Sequence, residues 1–440
     1  MTTDAIEARA NDLQEKLIAY RRDFHKHAES GWTEFRTSAI IASRLLELGY
    51  EVKLGEEIIH RPSMMGVPSP EALEVHMKRA IDQGADAALV QKMEGGLTGV
   101  VADLSLGKGP MVVMRFDIDA NDISEAQDDA HRPFQEGFSS IHDGVMHACA
   151  HDGHGAIGLG VAELFAAMRD EGDKDFQGTI RLVFQPGEEG VRGAAPMVDA
   201  GILNGADYIL GGHIGFQATE SGQLMCGAKN FLATTKFDVT FTGTPAHAGG
   251  FPEEGSNALL AAASAALNLH AITRHSKGAS RITVGTMHAG QGRNIIPPNA
   301  KLQVETRGET SEIDAFMFSN AKKVIEGSAH MYGVKTDLIL TGQTKSGEST
   351  PELVERMKAI GSTLSHFKKE KITGMAHMRG SEDFSHMMSE VQERGGQGTY
   401  VMIGTELSAG HHDFYFDFNE DCLAPAVALF TKATLDLFQS

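Results

Sequence analysis

One short run of the sequence concentrates side chains that bind transition metals. Between His147 and His154 it reads HACAHDGH. In an extended segment, residues two positions apart share a face, so His147, Cys149 and His151 could converge on one metal ion. Buried histidine and cysteine often only pack, so this run taken alone leaves metal binding and packing both open.

A pair of adjacent carboxylates, Glu188 and Glu189, stands in a second run that reads QPGEEG from Gln185 to Gly190. Two such charges side by side are costly unless a cation neutralises them. With a cation present, one carboxylate can bind it while the other moves a proton. Taken alone, this run could also be an acidic turn in solvent.

Further imidazoles occur at His213 and in the pair His411 and His412. With the two runs they offer nitrogen, sulfur and oxygen donors from four parts of the chain. A single structural zinc is the competing interpretation, but closed zinc sites usually draw on close-set ligands in two short pairs. Donors spread this widely favour a pair of divalent ions that polarises an amide carbonyl and activates water.

Short apolar runs alternate with helical patterns before these residues, and that order predicts an α/β sheet. The runs are Met111 to Phe116, Ile157 to Met168, Thr179 to Phe184 and Tyr208 to Leu210. In such sheets ligands bind beyond the carboxyl ends of the strands. The residues that follow the strand-like runs are Asp117 and Asp119, then Glu188 and Glu189, then His213.

A chain of 440 residues exceeds the size at which one hydrophobic core keeps growing, so two domains are expected. Between residues 230 and 345 the pattern changes to the order βαββαβ, which is typical of a ferredoxin-like domain. We therefore predict a catalytic domain from residues 1–229 and 346–440, with residues 230–345 as an inserted domain. The proline-containing stretch 55–96 is predicted to be an insertion over or beside the site.

Charge and cysteine content limit the partners and the compartment. The chain carries 59 acidic and 39 basic residues, a formal net charge of −20 that repels nucleic-acid phosphates and anionic membranes. Neither nucleic acid nor a membrane is therefore an expected partner. The three cysteines form no disulfide pattern and the N-terminus lacks a secretory pattern, which together predict a reducing, cytoplasmic setting.

Several segments together resemble the M20 metallopeptidase and amidohydrolase family, in the same order through both predicted domains. They are Arg21 to His25, Arg115 to Ala120, His147 to Cys149, Gln185 to Gly190, Pro245 to Ala248 and Gly380 to Phe384. The most similar subfamily contains hippurate, indole-acetyl-amino-acid and aminobenzoyl-glutamate hydrolases. The resemblance implies a mixed-sheet catalytic domain with an inserted ferredoxin-like lid and dimerisation domain.

The resemblance also implies roles for the matching residues. The implied metal ligands are Cys149 as a bridging thiolate, His151, Glu189, His213 and His412. Glu188 would be the general base, and Asp119 would orient a ligand. In the inserted domain His247 would polarise the scissile carbonyl, often from the partner chain of a dimer, while Asn294 and Arg307 would contact the substrate carboxylate.

Some assignments have alternatives. His412 is preferred to His411 because of its spacing to Phe416, although His411 could be the ligand. Arg307 could also form an ordinary surface ion pair. Ala150 replaces a glycine and Gly187 replaces an alanine of the family pattern, small changes that should not remove a ligand.

The implied reaction is hydrolysis of the amide bond of an acyl-glutamate, with p-aminobenzoyl-glutamate as the leading substrate. It would use two divalent ions, with manganese or zinc both compatible with the donors. One alternative is a broader N-acyl-amino-acid amidohydrolase or dipeptidase. Another is a metal-binding subunit that needs a paralogous partner, so both a homodimer and a heterodimer are open.

Overall fold

The computed structural model describes residues 1–172, 177–378 and 380–439, and the chain divides into two compact units. Unit 1 comprises Met1–Lys229, Glu348–His377 and Asp383–Ser440, and unit 2 comprises Asn230–Gly347 and Met378–Glu382. The return segments 346–347 and 378–382, which the sequence predicts to belong to the catalytic domain, group with unit 2. The reason is backbone pairing, because the N–H groups of residues 231 and 232 bond the carbonyls of residues 347 and 380.

The strands and helices are numbered in chain order across both units. The strands are β1 (Glu51–Lys53), β2 (Val100–Ser105), β3 (Met111–Asp117), β4 (Thr179–Gln185), β5 (Tyr208–Ile214), β6 (Leu224–Lys229), β7 (Ala233–Thr242), β8 (Ser280–Ala289), β9 (Asn299–Gly308), β10 (Lys335–Thr344), β11 (Ile372–His377) and β12 (Gln397–Ile403). The helices are α1 (Thr3–Asp12), α2 (Gln14–Lys26), α3 (Phe35–Glu47), α4 (Pro70–Asp82), α5 (Ala87–Lys92), α6 (Arg132–Gln135), α7 (His151–Asp170), α8 (Ala194–Asp199), α9 (Ala258–His270), α10 (Ser311–Tyr332), α11 (Pro351–Gly361), α12 (Phe384–Glu393) and α13 (Leu423–Leu437).

Unit 1 is built on a mixed sheet in the order β1-β2-β4-β3-β5-β12-β6-β11. Within it β4, β3, β5 and β12 run parallel, whereas β2 pairs antiparallel with β4 and β6 pairs antiparallel with β12. The carboxyl ends of the four parallel strands therefore lie at one edge. That edge is where an α/β sheet of this kind binds ligands.

Helix α7 packs closely on this sheet because its contact face is made of small residues. A Cβ atom on Gly158 would lie 2.5 Å from a ring carbon of Phe184 and 2.7 Å from one of Phe116. Both aromatic rings are buried in the main hydrophobic core. A side chain at Gly158 would push the helix away from the sheet, and with it His151, the first residue of α7.

Unit 2 is a four-stranded antiparallel sheet in the order β10-β7-β9-β8, with α9 and α10 contributing to its own core. Its elements follow the chain order βαββαβ. Alternate residues of β9 are buried, as expected for a sheet with helices on one face. The predicted fold class, a mixed-sheet α/β domain with a ferredoxin-like insertion, is confirmed.

The stretch 55–96 contains α4, α5 and two short 3₁₀ turns, and it lies within unit 1. Its loop at Met65 is fixed by the indole of Trp32, whose Nε1 donates to Met65 O at 2.8 Å. Arg192 Nη1 donates to Gly66 O at 2.9 Å. The insertion is therefore hydrogen-bonded to the segment that follows the two adjacent glutamates.

Among the described residues, no helix has the length and apolar character needed to cross a bilayer.

Candidate active site

The candidate ligands of unit 1 gather at the edge where the parallel strands end. Strand β3 ends at Asp117 and leads to Asp119, and β4 ends before the loop that carries Glu188 and Glu189. His213 lies inside β5 near its carboxyl end, because this strand is longer than the predicted run. Donors that are distant in the sequence are thus brought together by adjacent strands.

Cys149 belongs to two groups of candidate ligand atoms. Its Sγ, one His151 nitrogen and one Glu189 oxygen all lie within 4.8 Å of one another. The same sulfur forms a second such group with His213 and His411, and it lies 3.4 Å from His213 Nε2. A thiolate shared between two groups has the placement that a bridging ligand needs.

The two adjacent histidines are on different sides of this centre. His412 Nε2 is 3.3 Å from Glu189 Oε2, and its backbone N–H donates to Ala148 O at 2.8 Å. His411 lies beside His213 instead, with ring centroids 5.0 Å apart, and burial lowers its pKa to about 4. The structure therefore brings both histidines to the site.

His147 is not part of any candidate ligand group in the portion of the chain that the structure describes. Its ring centroid is 6.2 Å from that of His25, and burial lowers its pKa to about 3. Of the three alternating residues, Cys149 and His151 converge and His147 does not, because the segment is not extended throughout. Ala150 has φ 66°, and α7 begins at the next residue, so the chain turns between Cys149 and His151.

Asp119 connects both glutamates to His151. Its carboxylate accepts the backbone N–H of Glu188 at 3.0 Å and that of Glu189 at 3.1 Å. Its backbone carbonyl accepts a hydrogen bond from His151 Nδ1 at 2.9 Å, so in the neutral ring the lone pair would lie on Nε2. Nε2 is buried and has no hydrogen-bond partner, so its lone pair is available to a cation.

The electrostatics of the centre also favour a cation. Burial and the neighbouring Glu189 raise the pKa of the Cys149 thiol well above its usual range. Although burial opposes ionisation of Glu189, the His412 and His151 side chains hold its pKa at about 2. The thiolate that would bridge two ions thus needs added positive charge, which bound divalent cations would supply.

A second buried arrangement supports β3 and β5, and spacing alone did not reveal it. The Asp117 carboxylate accepts from His154 Nδ1, while the N–H of Ile214 donates to His154 Nε2 at 2.9 Å. Arg115 pairs with Asp117 and also donates to Asp383 at 3.1 Å. The only sequence signal for Asp383 was its place in the Gly380 to Phe384 segment.

His25 takes part in a buried ion network. Its Nδ1 lies 2.8 Å from Asp152 and its Nε2 lies 2.9 Å from Glu125. Although burial disfavours the charged ring, these two carboxylates raise the pKa of His25 to about 9. Arg21 Nε also donates to Asp152 at 2.8 Å, so charged partners fix the residue that follows His151.

Two of the three candidate substrate residues lie together in unit 2. The residue pair His247 and Ile295 forms an antiparallel bridge, and the N–H of Ala248 donates to Asn294 O at 3.1 Å. His247 Nδ1 accepts two backbone N–H groups, those of residues 249 and 250, at 3.1 and 3.0 Å. Its exposed ring therefore carries the proton on Nε2, ready to donate to a carbonyl.

Arg307 forms a short ion pair with Glu305, two residues earlier on β9. About a third of the Arg307 side chain is exposed, since its relative accessibility is 32%. This contact corresponds to the ordinary ion pair considered as the alternative. A role in binding a substrate carboxylate would require the guanidinium to exchange Glu305 for the substrate.

Comparison with known proteins agrees with this arrangement. The model of peptidase family M20/M25/M40 matches residues 113–436. One of the p-aminobenzoyl-glutamate hydrolase subunits of Escherichia coli is 47% identical over 97% of both chains. The indole-3-acetyl-aspartic acid hydrolase of Enterobacter agglomerans is 46% identical over 96% of both chains.

A solved structure shows the same likeness in three dimensions. The aminobenzoyl-glutamate utilization protein from Klebsiella pneumoniae has a TM-score of 0.84 and 39% sequence identity, with 98% of both chains covered. The segments around Trp32, the insertion that leads to Glu94, and Gly410-His411-His412 predict a particular similarity to the aminobenzoyl-glutamate hydrolases of this family. The identity over nearly the whole chain confirms that similarity.

Proposed function

Because the chain belongs to peptidase family M20/M25/M40, we propose that it is an amidohydrolase that cleaves p-aminobenzoyl-glutamate to p-aminobenzoate and glutamate. The observation that carries the proposal is the place of Cys149 in two ligand groups beside the Glu188 and Glu189 loop. Sequence identity of 47% to a hydrolase of that name supports the choice of substrate.

Two divalent ions per chain are proposed as the cofactor. The ligands would be Cys149, His151, Glu189, His213 and His412. The buried, unpartnered Nε2 of His151 fits this assignment, as does the position of the Cys149 sulfur beside both His151 and His213. When bound, such ions polarise the amide carbonyl and lower the pKa of a bound water. A thiolate favours zinc, while carboxylate and imidazole donors also accept manganese.

Glu188 is proposed as the general base. It would take a proton from the attacking water and deliver it to the nitrogen of the departing amino acid. Its side chain is largely buried, and Asp119 fixes its backbone at 3.0 Å. A base held in this way loses little entropy when the reaction begins.

The residues of unit 2 are proposed to recognise the substrate. His247 would donate from Nε2 to the scissile carbonyl, as its tautomer allows. Asn294 and Arg307 would bind the free carboxylate of the amino acid, and a guanidinium can do this with two parallel hydrogen bonds. Glu305 would then act as the resident anion that the substrate carboxylate displaces.

An acyl-aspartate is the second candidate substrate, because the enzyme that is 46% identical is named for indole-3-acetyl-aspartic acid. A partner chain is also proposed, either a second copy or a related protein, since the Escherichia coli relative is named as one subunit of its enzyme.

A reducing, cytoplasmic setting is proposed as well. The free, buried Cys149 fits such a setting, because oxidation would remove the thiolate.

The test is an assay of the purified chain after chelation and after addition of manganese or zinc. Release of the free amino acid (glutamate, aspartate or glycine) is compared among p-aminobenzoyl-glutamate, its aspartate and glycine analogues, and indole-3-acetyl-aspartate. Metal-dependent release that is fastest from the glutamate conjugate supports the proposal, and Glu188→Ala should abolish it. Faster release from an aspartate conjugate selects the second candidate, and activity that appears only with a related partner chain makes the enzyme a heteromer.

A further inference from the structure

Glu34 directly precedes helix α3, yet its side chain makes no capping hydrogen bond to that helix. Glu29 does the capping instead, accepting the backbone N–H of Arg36 at 3.2 Å and of Thr37 at 2.8 Å. Glu34 is fully buried, with 0% of its surface exposed. Burying a carboxyl group costs free energy unless the group is hydrogen-bonded. The hydrogen-bond partners of Glu34 therefore indicate its role.

The partners of Glu34 lie at the candidate active site. Its Oε1 accepts the backbone N–H of Gly187 at 2.9 Å, and Thr98 Oγ1 donates to its Oε2 at 2.6 Å. Gly187 immediately precedes Glu188 and has φ 64°, a left-handed conformation that glycine adopts readily. The Glu34 carboxyl therefore fixes the residue at which the chain turns into the base.

Three consecutive backbone N–H groups of this loop are bonded to buried acidic side chains from two other segments. Gly187 donates to Glu34, whereas Glu188 and Glu189 donate to Asp119 at 3.0 and 3.1 Å. Gly31 closes the same side of the loop, since a Cβ atom there would lie 3.0 Å from Gly187 Cα. The loop is thus held from two directions, and Asp119 supplies only one of them.

We propose that Glu34 is a positioning residue for hydrolysis, which holds the N–H of Gly187 and thereby fixes the backbone that carries Glu188. The inference rests on the proposed role of Glu188 as the base, but it does not depend on which acyl amino acid is cleaved. A displacement of about 1 Å at a reacting group can cost about a hundredfold in rate. The contribution of Glu34 should therefore be seen in kcat rather than in KM.

The chain offers a matched control for this test. Glu29 is also a buried glutamate of the same segment, with 1% exposure, but it bonds α3 and Arg79 rather than the active-site loop. Burial and the nearby Asp119 raise the pKa of Glu34 to about 8, so glutamine resembles its neutral form. Glu34→Gln is thus the conservative variant and Glu34→Leu the disruptive one.

The variants are compared on whichever N-acyl amino acid the unmodified chain hydrolyses, together with bound metal and thermal unfolding. Glu34→Leu is expected to lower kcat by about tenfold to a hundredfold, with KM within about threefold and the same amount of bound metal. Glu34→Gln is expected to stay within about threefold of the unmodified chain. Glu29→Leu is expected to lower thermal stability while leaving the kcat of the folded protein unchanged.

Amide hydrogen exchange of residues 185–190, measured without substrate, provides a second readout. Glu34→Leu should accelerate exchange in this segment, and Glu29→Leu should not. If Glu34→Leu does not fold, Thr98→Val takes its place, since it removes the partner of Oε2 and is expected to lower kcat by about threefold to tenfold.

Unchanged kcat and exchange in Glu34→Leu, or in Thr98→Val, would overturn the proposal. So would equal losses of kcat in Glu34→Leu and Glu29→Leu, or a loss in Glu34→Gln as large as in Glu34→Leu. If the unmodified chain hydrolyses no acyl amino acid, the proposed function fails, while the exchange experiment still decides whether Glu34 holds the loop.

Discussion

The carboxylate of Asp119 accepts the backbone N–H of Glu188 at 3.0 Å, and the backbone carbonyl of the same aspartate fixes the tautomer of a candidate metal ligand, His151. A single residue after β3 thus sets the position of the candidate base and the donor atom of a ligand. Its importance follows from two separate contacts, one through the side chain and one through the main chain. Substitution of the side chain should act mainly on the first, although Asp119 Oδ1 also lies 3.4 Å from His151 Nδ1.

Asp119→Asn is expected to lower kcat strongly while leaving His151 oriented. The amide can accept only one of the two N–H groups of Glu188 and Glu189, and its own N–H₂ group opposes the other. We expect kcat to fall about a hundredfold and metal affinity to fall by about tenfold to a hundredfold. Steady-state kinetics and titration of the metal-free protein measure the two effects, and wild-type values for both would contradict the assignment.

Substitution of each neighbouring histidine should identify the ligand. His412→Asn is expected to reduce the metal bound per chain, because His412 lies beside Glu189 at 3.3 Å. His411→Asn is the comparison, because His411 belongs to the ligand group of Cys149 and His213. We expect it to retain the full metal content, since His411 Nε2 faces the backbone carbonyl of Ile214 at 3.3 Å. Elemental analysis after dialysis measures both. Loss of metal only in His411→Asn would assign the ligand to His411 instead.

Arg307 is expected to act on substrate binding more than on chemistry. Arg307→Lys keeps the charge but cannot bind a carboxylate through two parallel hydrogen bonds, so KM should rise about tenfold with a smaller change in kcat. Glu305→Gln removes the competing anion and should lower KM or leave it unchanged. Kinetics of both variants with the same acyl-glutamate provide the measurement. An unchanged KM in Arg307→Lys would show that Arg307 does not bind the substrate carboxylate and serves only in its ion pair with Glu305.

Stability should depend on pH through His25. Its pKa is about 9 in the folded chain, above the ordinary value of 6.5, so folding favours the protonated ring. The resulting stabilisation is complete below pH 6.5 and is lost as the pH rises through about 9. At about 1.4 kcal/mol per pKa unit, it amounts to about 3 kcal/mol.

Denaturant unfolding of the unmodified chain and of His25→Gln across about pH 6 to about 10 tests this dependence. The difference between their unfolding free energies should narrow as the pH rises. A difference that stays constant over this range would show that the ring is not charged in the folded protein.

Local sequence features were sufficient for the fold class and for the position of the glutamate loop. The apolar run from Thr179 to Phe184 became β4, and the polar residues after it lie at the carboxyl edge of the sheet. Such inferences succeed because a strand and the loop that follows it are set by neighbouring residues. The geometry of His147 was not predictable in this way, because it depends on a left-handed residue at position 150.

The supporting contacts were inaccessible to spacing arguments for another reason. Glu34 bonds Thr98, which is 64 positions away, and Arg115 bonds Asp383, which is 268 positions away. Contacts between residues so far apart in the sequence arise only when the order of strands in the sheet brings separate segments together. A single sequence therefore indicated which residues could do chemistry, while the residues that hold them in place became evident only in the folded chain.

Trp32 is the only tryptophan of the chain, and it is buried with its indole bonded to the insertion at Met65. All tryptophan fluorescence of this protein therefore originates at that junction. A shift of the emission to longer wavelength would signal water entering where the insertion meets the body of unit 1, before any global unfolding. The protein thus carries an intrinsic optical probe of its own insertion, which needs no label and no substitution.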